Sequence, residues 1–161
     1  MRDKQKRKRI REHRQVMDTV DKETRSRVMA TVRSKQTKLE QTFVALLEQA
    51  GITEFTCYAQ ELPGTPDIVF REAKVAVFVN SCFWHGCPKH LRQPRSNEAY
   101  WQPKLEKNIK RDRKTRAALR RRGWSVLRVW EHDLNHPTHV VNKVLRALER
   151  RTGSRTQSPQ S

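Results

Sequence analysis

No apolar run in this chain approaches the about 18 consecutive residues of a membrane helix, so no membrane partner is expected. The basic N-terminus also lacks the apolar segment of a secretory signal, and an intracellular, cytoplasmic, nucleoid-associated setting is expected. Apolar residues are only 35% of the 161, which allows one compact core but not two. Acids are the scarcest charge: 17 Asp and Glu face 35 Lys and Arg, leaving a net charge of +18. So strong and clustered an excess points to a polyanion, most simply nucleic acid. Cysteines number three. Two of them lie beside histidines, which in an intracellular chain favours metal over a disulfide. No internal repeat is visible.

What is present gathers in Val75–His90, VAVFVNSCFWHGCPKH. An apolar strand-like run leads into Cys82, Phe83, Trp84, His85, Cys87 and His90. Around it the order reads helix, strand, strand, strand, helix, strand, helix, an α/β sandwich about a mixed sheet. Residues 1–17 are a basic arm with almost nothing to bury, 18–150 the folded domain, and 151–161 a polar, disordered tail. Between Asp18 and Lys38 a short helix is expected. A firmer one, striped by Leu39, Phe43, Leu46 and Leu47, follows from Lys38 to Ala50. Glu54–Leu62 alternates like a strand, with Cys57 expected in the core. Ile68–Phe70 and Val75–Val79 read as a hairpin, the second strand apolar on both faces and so central. Asn97–Arg122 reads as helix, with a fresh start expected at Pro103. Ser125–Trp130 is a further strand, and Val140–Leu148 a closing helix.

Three groups of residues carry chemistry. Cys82, Cys87 and His90 supply soft or borderline ligands within nine positions, and His132 lies just past a strand end. Such a nitrogen–sulfur set suits structural zinc. His136 and His139 compete as the fourth ligand, and the plain alternative is two core cysteines with surface histidines. The second group is acidic. Asp67 follows Pro66 at the mouth of the hairpin, where a carboxylate can bind a hard divalent ion. The Asp/Glu-x-Lys triplet that often accompanies such an aspartate is missing, because the aligned strand end reads Val79–Asn80–Ser81. Glu40 near a helix start either favours the dipole or reaches into a site. Asp112 falls on the inward stripe of a very basic helix and needs a partner, either Arg116 one turn on or a site. The third group is His85 with its aromatic neighbours. His85 is a spare zinc ligand or a base. Phe83, Trp84 and Trp101 either stack on bases or fill the core, whereas Trp124 and Trp130 look like core.

Together these stretches resemble the very short patch repair (Vsr) endonucleases. The matching motifs are D-x-x-T-R-S-x-x-M at Asp21–Met29, T-x-x-E at Thr37–Glu40 and L-P-G-x-P-D at Leu62–Asp67. C-F-W-H at Cys82–His85, N-x-x-R-D at Asn108–Asp112 and G-W-x-V-L-x-V-W-E at Gly123–Glu131 follow in order. The resemblance implies a restriction-endonuclease-like three-layer sandwich with a mixed central sheet and a zinc-stapled loop. It implies nicking of one strand of double-stranded DNA beside the T of a T·G mismatch, with catalytic Mg²⁺ and structural Zn²⁺, by a monomer. It also assigns roles. Asp67 and Val79 would hold Mg²⁺. Asp67, His85, Glu40 and Asp112 would form the catalytic set. Phe83, Trp84 and Trp101 would wedge into the duplex, with Arg25, Lys104 and Arg111 on DNA. Cys82 would be a zinc ligand, and Cys87, His90 and His132 complete the set inferred here. Asn80 departs from the pattern, since some members carry a second histidine there and an amide cannot shuttle a proton near neutral pH.

Overall fold

A computed structural model of the chain describes residues 22–90 and 98–153, with the side chains of 22–36 described only in part. The expected basic arm at 1–17 and most of the tail lie outside the described residues.

The first helix, α1, runs unbroken over Lys22–Gln49. Two helices were expected. The segment contains neither glycine nor proline, and a fading apolar stripe without a breaker does not end a helix. Its second half buries Phe43 and Leu47 completely. Strand β1 is only Thr56–Cys57, both exposed. The longer strand expected over Glu54–Leu62 is cut short where Tyr58 takes a left-handed backbone, φ 53°. Cys57 is correspondingly a surface thiol rather than the core residue expected. Strands β2 (Ile68–Phe70) and β3 (Val75–Asn80) form the anticipated antiparallel hairpin, with Ile68 opposite Val77. Helix α2 spans Glu98–Arg121 and carries Pro103 inside it, with no new start there. As the sixth residue of the helix, Pro103 lies past the unpaired first turn and forfeits one intrahelical bond, the one that would reach the Ala99 carbonyl. Strand β4 (Ser125–Trp130), a 3-10 turn (Glu131–Asn135) and helix α3 (Pro137–Gly153) complete the chain. Helix α3 runs past the expected end of the domain. Arg151 anchors it through 3.1 and 2.6 Å bonds to the carbonyls of Ala73 and Gly123.

The sheet order is β1-β2-β3-β4, antiparallel except for the six-pair parallel ladder between β3 and β4. Parallel neighbours need a long crossover, and the Cys/His loop and α2 lie within it. Alternation along β3 assigns its two faces. Val75, Val77 and Val79 pack with Phe43 and Leu47 of α1 and with Val140, Val144 and Ala147 of α3. Ala76 and Phe78 turn the other way, towards Val69, Val126 and Leu119 of α2. The result is three layers, helices on both sides of a mixed sheet. Each fully buried Val, Leu or Phe contributes about 1.5–3 kcal/mol, so the β3 valines anchor the architecture. Because β2 runs against β3, its entry residue Asp67 lies beside the exit of β3, where Asn80 and the Cys/His loop begin.

Candidate active site and metal cluster

Helix α2 is held unusually close to two loops. A side chain at Gly64 would put its Cβ 2.3 Å from Thr115 Cγ2, and one at Gly86 would meet Ile109 Cδ1 at 2.5 Å. Both glycines have positive φ, 73° and 64°, which other residues rarely adopt. The Leu62–Asp67 turn and the Cys/His loop are thereby pressed against one helix. Between them opens a cleft of about 430 Å³. Asp67, Phe78, Val79, Asn80, His85, Arg111, Asp112, Arg116 and Arg128 line it, with Gly64, Thr65 and Thr115.

Asp67 is the most perturbed acid in the cleft. Its Oδ2 accepts the Val79 N–H at 2.7 Å. Burial, then the nearby Glu40 charge, pushes its pKa up to about 7 despite that bond. Glu40 in turn accepts the Tyr58 hydroxyl at 2.8 Å, which pushes Tyr58 up to about 12. Burial of Asp67 and the Glu40 charge beside it both disfavour its ionised form, and a divalent cation there would relieve both. The all-oxygen donor set suits Mg²⁺, which needs only one or two carboxylates.

His85 and Asp112 form the second pair. Nδ1 of the imidazole lies 2.6 Å from Asp112 Oδ2, with both side chains about one-fifth exposed. Burial pushes the Asp112 carboxyl up, but the hydrogen bond and charge of His85, helped by Arg111, outweigh it and hold the pKa below its ordinary value. An ionised Asp112 fixes the tautomer with the proton on Nδ1, leaving Nε2 as the proton acceptor. The alternative partner, Arg116, instead donates from Nε to the Asp112 main-chain carbonyl at 3.3 Å.

The ligand atoms of Cys82, Cys87, His90 and His132 all lie within 4.8 Å of one another. Sulfur to Nδ1 distances are 3.2 Å for Cys82–His132, 3.7 Å for Cys87–His132 and 4.0 Å for Cys87–His90. Standard Zn–S and Zn–N lengths at tetrahedral angles require about 3.5 Å for such an edge, so the four donors fit zinc. His132 Nε2 lies 3.3 Å from Asp133 Oδ1, the outer carboxylate that commonly orients a ligating imidazole. Asp133 is itself fixed by the Trp130 N–H at 3.0 Å and Lys143 at 3.2 Å. His136 and His139 are not in the cluster. The backbone explains how two functions share one short loop. Cys87 N–H bonds to Cys82 O at 3.0 Å, which turns both thiols inward around Trp130, while His85 lines the cleft.

The aromatics gather beside the cleft rather than within the main core. Phe83 and Trp84 pack edge to face at 4.9 Å, Trp84 and Trp101 at 5.4 Å, and Tyr100 joins at 4.7 Å from Trp101. All four are half-buried. Lys104 sits 4.1 Å over the Tyr100 ring and 2.6 Å from its hydroxyl. Arg111 lines the cleft, and the Arg25 side chain lies outside the described residues. Trp130 is buried and Trp124 packs on the α2 side of the core.

Sequence reasoning overlooked Arg128. It pairs with Phe78 across the parallel ladder and so belongs to the inward-facing set with Val126. A cation at that phase of an apolar strand was the available signal.

An α/β domain with an acid–histidine cleft and a separate Cys₂His₂ cluster is what the fold and its sites define. Comparison with known proteins makes this specific. Residues 17–91 match the family model described as DNA mismatch endonuclease Vsr. The chain is 42% identical over 119 residues to the type II nicking enzyme V.XorIIP of Xanthomonas oryzae pv. oryzae, covering 73% of this chain and 87% of that protein. It is 36% identical over 129 residues to the DNA mismatch endonuclease Vsr of Escherichia coli, covering 80% and 82%. With V.NaeI of Lentzea aerocolonigenes the identity is 54% over 85 residues, about half of each protein (52% and 51%). The chain belongs to the Vsr family and is a DNA endonuclease. No helix among the described residues is long and apolar enough to cross a membrane.

Proposed function

We propose that this endonuclease, with a restriction-endonuclease-like fold, nicks one strand of duplex DNA beside the T of a T·G mismatch. The observation that carries the reading is the convergence of Asp67, His85 and Asp112 on one cleft in a chain of this family. Asp67, with Glu40 beside it and Val79 at the strand exit, would hold Mg²⁺. The ion would supply Lewis-acid stabilisation of charge on the phosphoryl oxygens. The chain's own residues do the rest. His85 Nε2 takes a proton from the water as its oxygen forms the new bond to phosphorus, the P–O bond to the leaving oxygen breaks, and that oxygen takes a proton from solvent. Asp112 holds the imidazole in the accepting tautomer and stabilises the imidazolium that results. Asn80, buried at the cleft wall, cannot take up a proton near neutral pH and leaves proton transfer to His85.

Cys82, Cys87, His90 and His132 would hold structural Zn²⁺ and thereby fix the loop that carries His85. Phe83, Trp84 and Trp101 would insert at the mismatch. Unstacking a base step costs a few kcal/mol, less where pairing is already imperfect, so an aromatic wedge favours the mismatched step. Lys104, Arg111 and Arg25 would contact the DNA backbone, which needs no sequence information.

The test is strand nicking of T·G and T·A duplexes of otherwise identical sequence with Mg²⁺. Selective nicking of the T·G duplex is the expected result. Equal cleavage of both, or preference for a branched duplex, would replace mismatch direction with a general or structure-selective nuclease. Asp67→Ala should abolish nicking and spare binding.

A further inference from the structure

Two cations face the cleft without a direct ion pair to any of its acids. Arg116 comes from α2 and Arg128 from β4, so they reach the same space from different elements. Both are half-buried. Among the described residues neither guanidinium is ion-paired with a carboxylate. Arg116 donates from Nε to the Asp112 main-chain carbonyl, and Arg128 lies 4.8 Å over the Trp130 ring. Burial, then the charge of Arg116, pulls the Arg128 pKa down, yet a guanidinium stays charged at any physiological pH. The Asp112 charge offsets part of this repulsion, but its carboxylate is bonded to His85, so an anion bound between the two guanidiniums would still be favoured. Neither role already assigned to the cleft uses them: Asp67 and Glu40 attract a cation, and His85 and Asp112 move a proton.

We propose that Arg116 and Arg128 form a two-arginine subsite that holds one phosphodiester of the DNA strand in the cleft, positioning it against Asp67 and His85. The inference deepens the nicking function proposed above and rests on it for the identity of the anion. Guanidinium is suited to this task because its planar fork meets two phosphoryl oxygens at once, which an ammonium does not. The Arg128 guanidinium rests over the Trp130 ring at 4.8 Å, and Trp130 is packed by Cys82 and Cys87. The metal cluster therefore also supports the platform on which Arg128 lies. The ligand chemistry is a tetrahedral oxyanion carrying two unencumbered oxygens. It could arrive as a strand phosphodiester or as free inorganic phosphate.

Two measurements on the full chain test this, with Arg128→Gln, Arg116→Gln and Arg128→Lys. The first uses inorganic sulfate as probe and follows its stabilisation of the protein in thermal unfolding, without DNA. Wild type should gain more from sulfate than either glutamine variant, whose response should fall to the general salting effect. The second is single-turnover nicking of the T·G duplex. Each glutamine variant should lose on the order of 100-fold, as for removal of one preorganised charge-stabilising donor. The double variant should lose little more than the worse single one. Arg128→Lys should recover sulfate binding more than nicking, because charge survives and the fork does not. Equal sulfate responses in all proteins would overturn the subsite. Loss of the sulfate response with unchanged nicking would assign the site to free phosphate and overturn the DNA role. If wild type responds to sulfate and the variants do not, while no protein nicks T·G DNA, the anion site stands and the nicking assignment fails.

Discussion

Replacing Asp112 by Asn separates orientation from charge at the candidate base. The side chains are nearly isosteric, so the helix face and its packing should survive. The negative charge at the 2.6 Å contact to His85 Nδ1 would not. A hydrogen bond to a charged group is worth about 1.5–3 kcal/mol. If that bond strengthens as His85 becomes cationic, its loss alone slows the chemical step by about 10- to 150-fold. Asparagine can also donate to Nδ1, which would place the imidazole proton on Nε2 and block proton acceptance. In a related hydrolytic triad the same exchange costs about 10⁴-fold. Single-turnover nicking at saturating enzyme should thus fall by about 10- to 10⁴-fold, with binding of the T·G duplex within a few-fold of wild type. Stability carries its own signature. The folded-state pKa of Asp112 lies below its ordinary value, so its stabilising contribution is present above the ordinary carboxylate range and disappears as pH falls through the folded pKa. Asp112→Asn should flatten that part of the acid limb. Nicking within three-fold of wild type would refute the role given to His85 and Asp112 together.

Other outcomes follow from single features. Cys87→Ser should leave less than one zinc per chain by elemental analysis, since it removes one of four converging donors; unchanged zinc would reject this ligand set. Asp67 should couple metal to pH. Its pKa of about 7 lies above the ordinary value, so its contribution to metal-free stability is full at low pH and is lost as pH rises through 7. Thermal stabilisation by Mg²⁺ should accordingly grow with pH and level off above about 7, and a pH-independent Mg²⁺ effect would contradict it. Gly86→Ala should lower the melting temperature, by the equivalent of about 1–3 kcal/mol, because alanine is strained at φ 64° and its methyl also crowds the Ile109 side chain. An unchanged melting temperature would mean that the loop stands off the helix.

Much of the site was legible because its chemistry is local in sequence. Cys82, His85 and Cys87 lie within one short loop, and Pro66–Asp67 immediately precedes a strand. Three-dimensional closure was the harder part. His132 was one of several histidines able to complete the metal set, and only the 3-10 turn after β4 brings its Nδ1 to 3.2 Å from Cys82 Sγ. Arg128 was invisible in a list of 35 basic residues until the β3–β4 register placed it opposite Phe78. The helix boundaries failed for a different reason. Apolar periodicity reports what a helix buries, not how far its backbone continues, and α1 extends well beyond the part that buries Phe43 and Leu47. Cys57 was misplaced because a short alternating segment implies two faces, whereas the backbone reversal at Tyr58 leaves it at the sheet edge.

The close seating of α2 has a consequence for how sequences of this kind can vary in length. Ile109, Asp112, Thr115 and Arg116 share one stripe of the helix, and they meet Gly86, His85, Gly64 and the cleft respectively. The helix therefore acts as a ruler, with steps of about 1.5 Å per residue between the metal loop and the Pro66–Asp67 turn. Inserting or deleting one residue between 109 and 116 would turn everything beyond it by about 100° and uncouple the two loops at once. Length differences among related chains should be excluded from this stretch and accumulate before Ile109 or after Leu119.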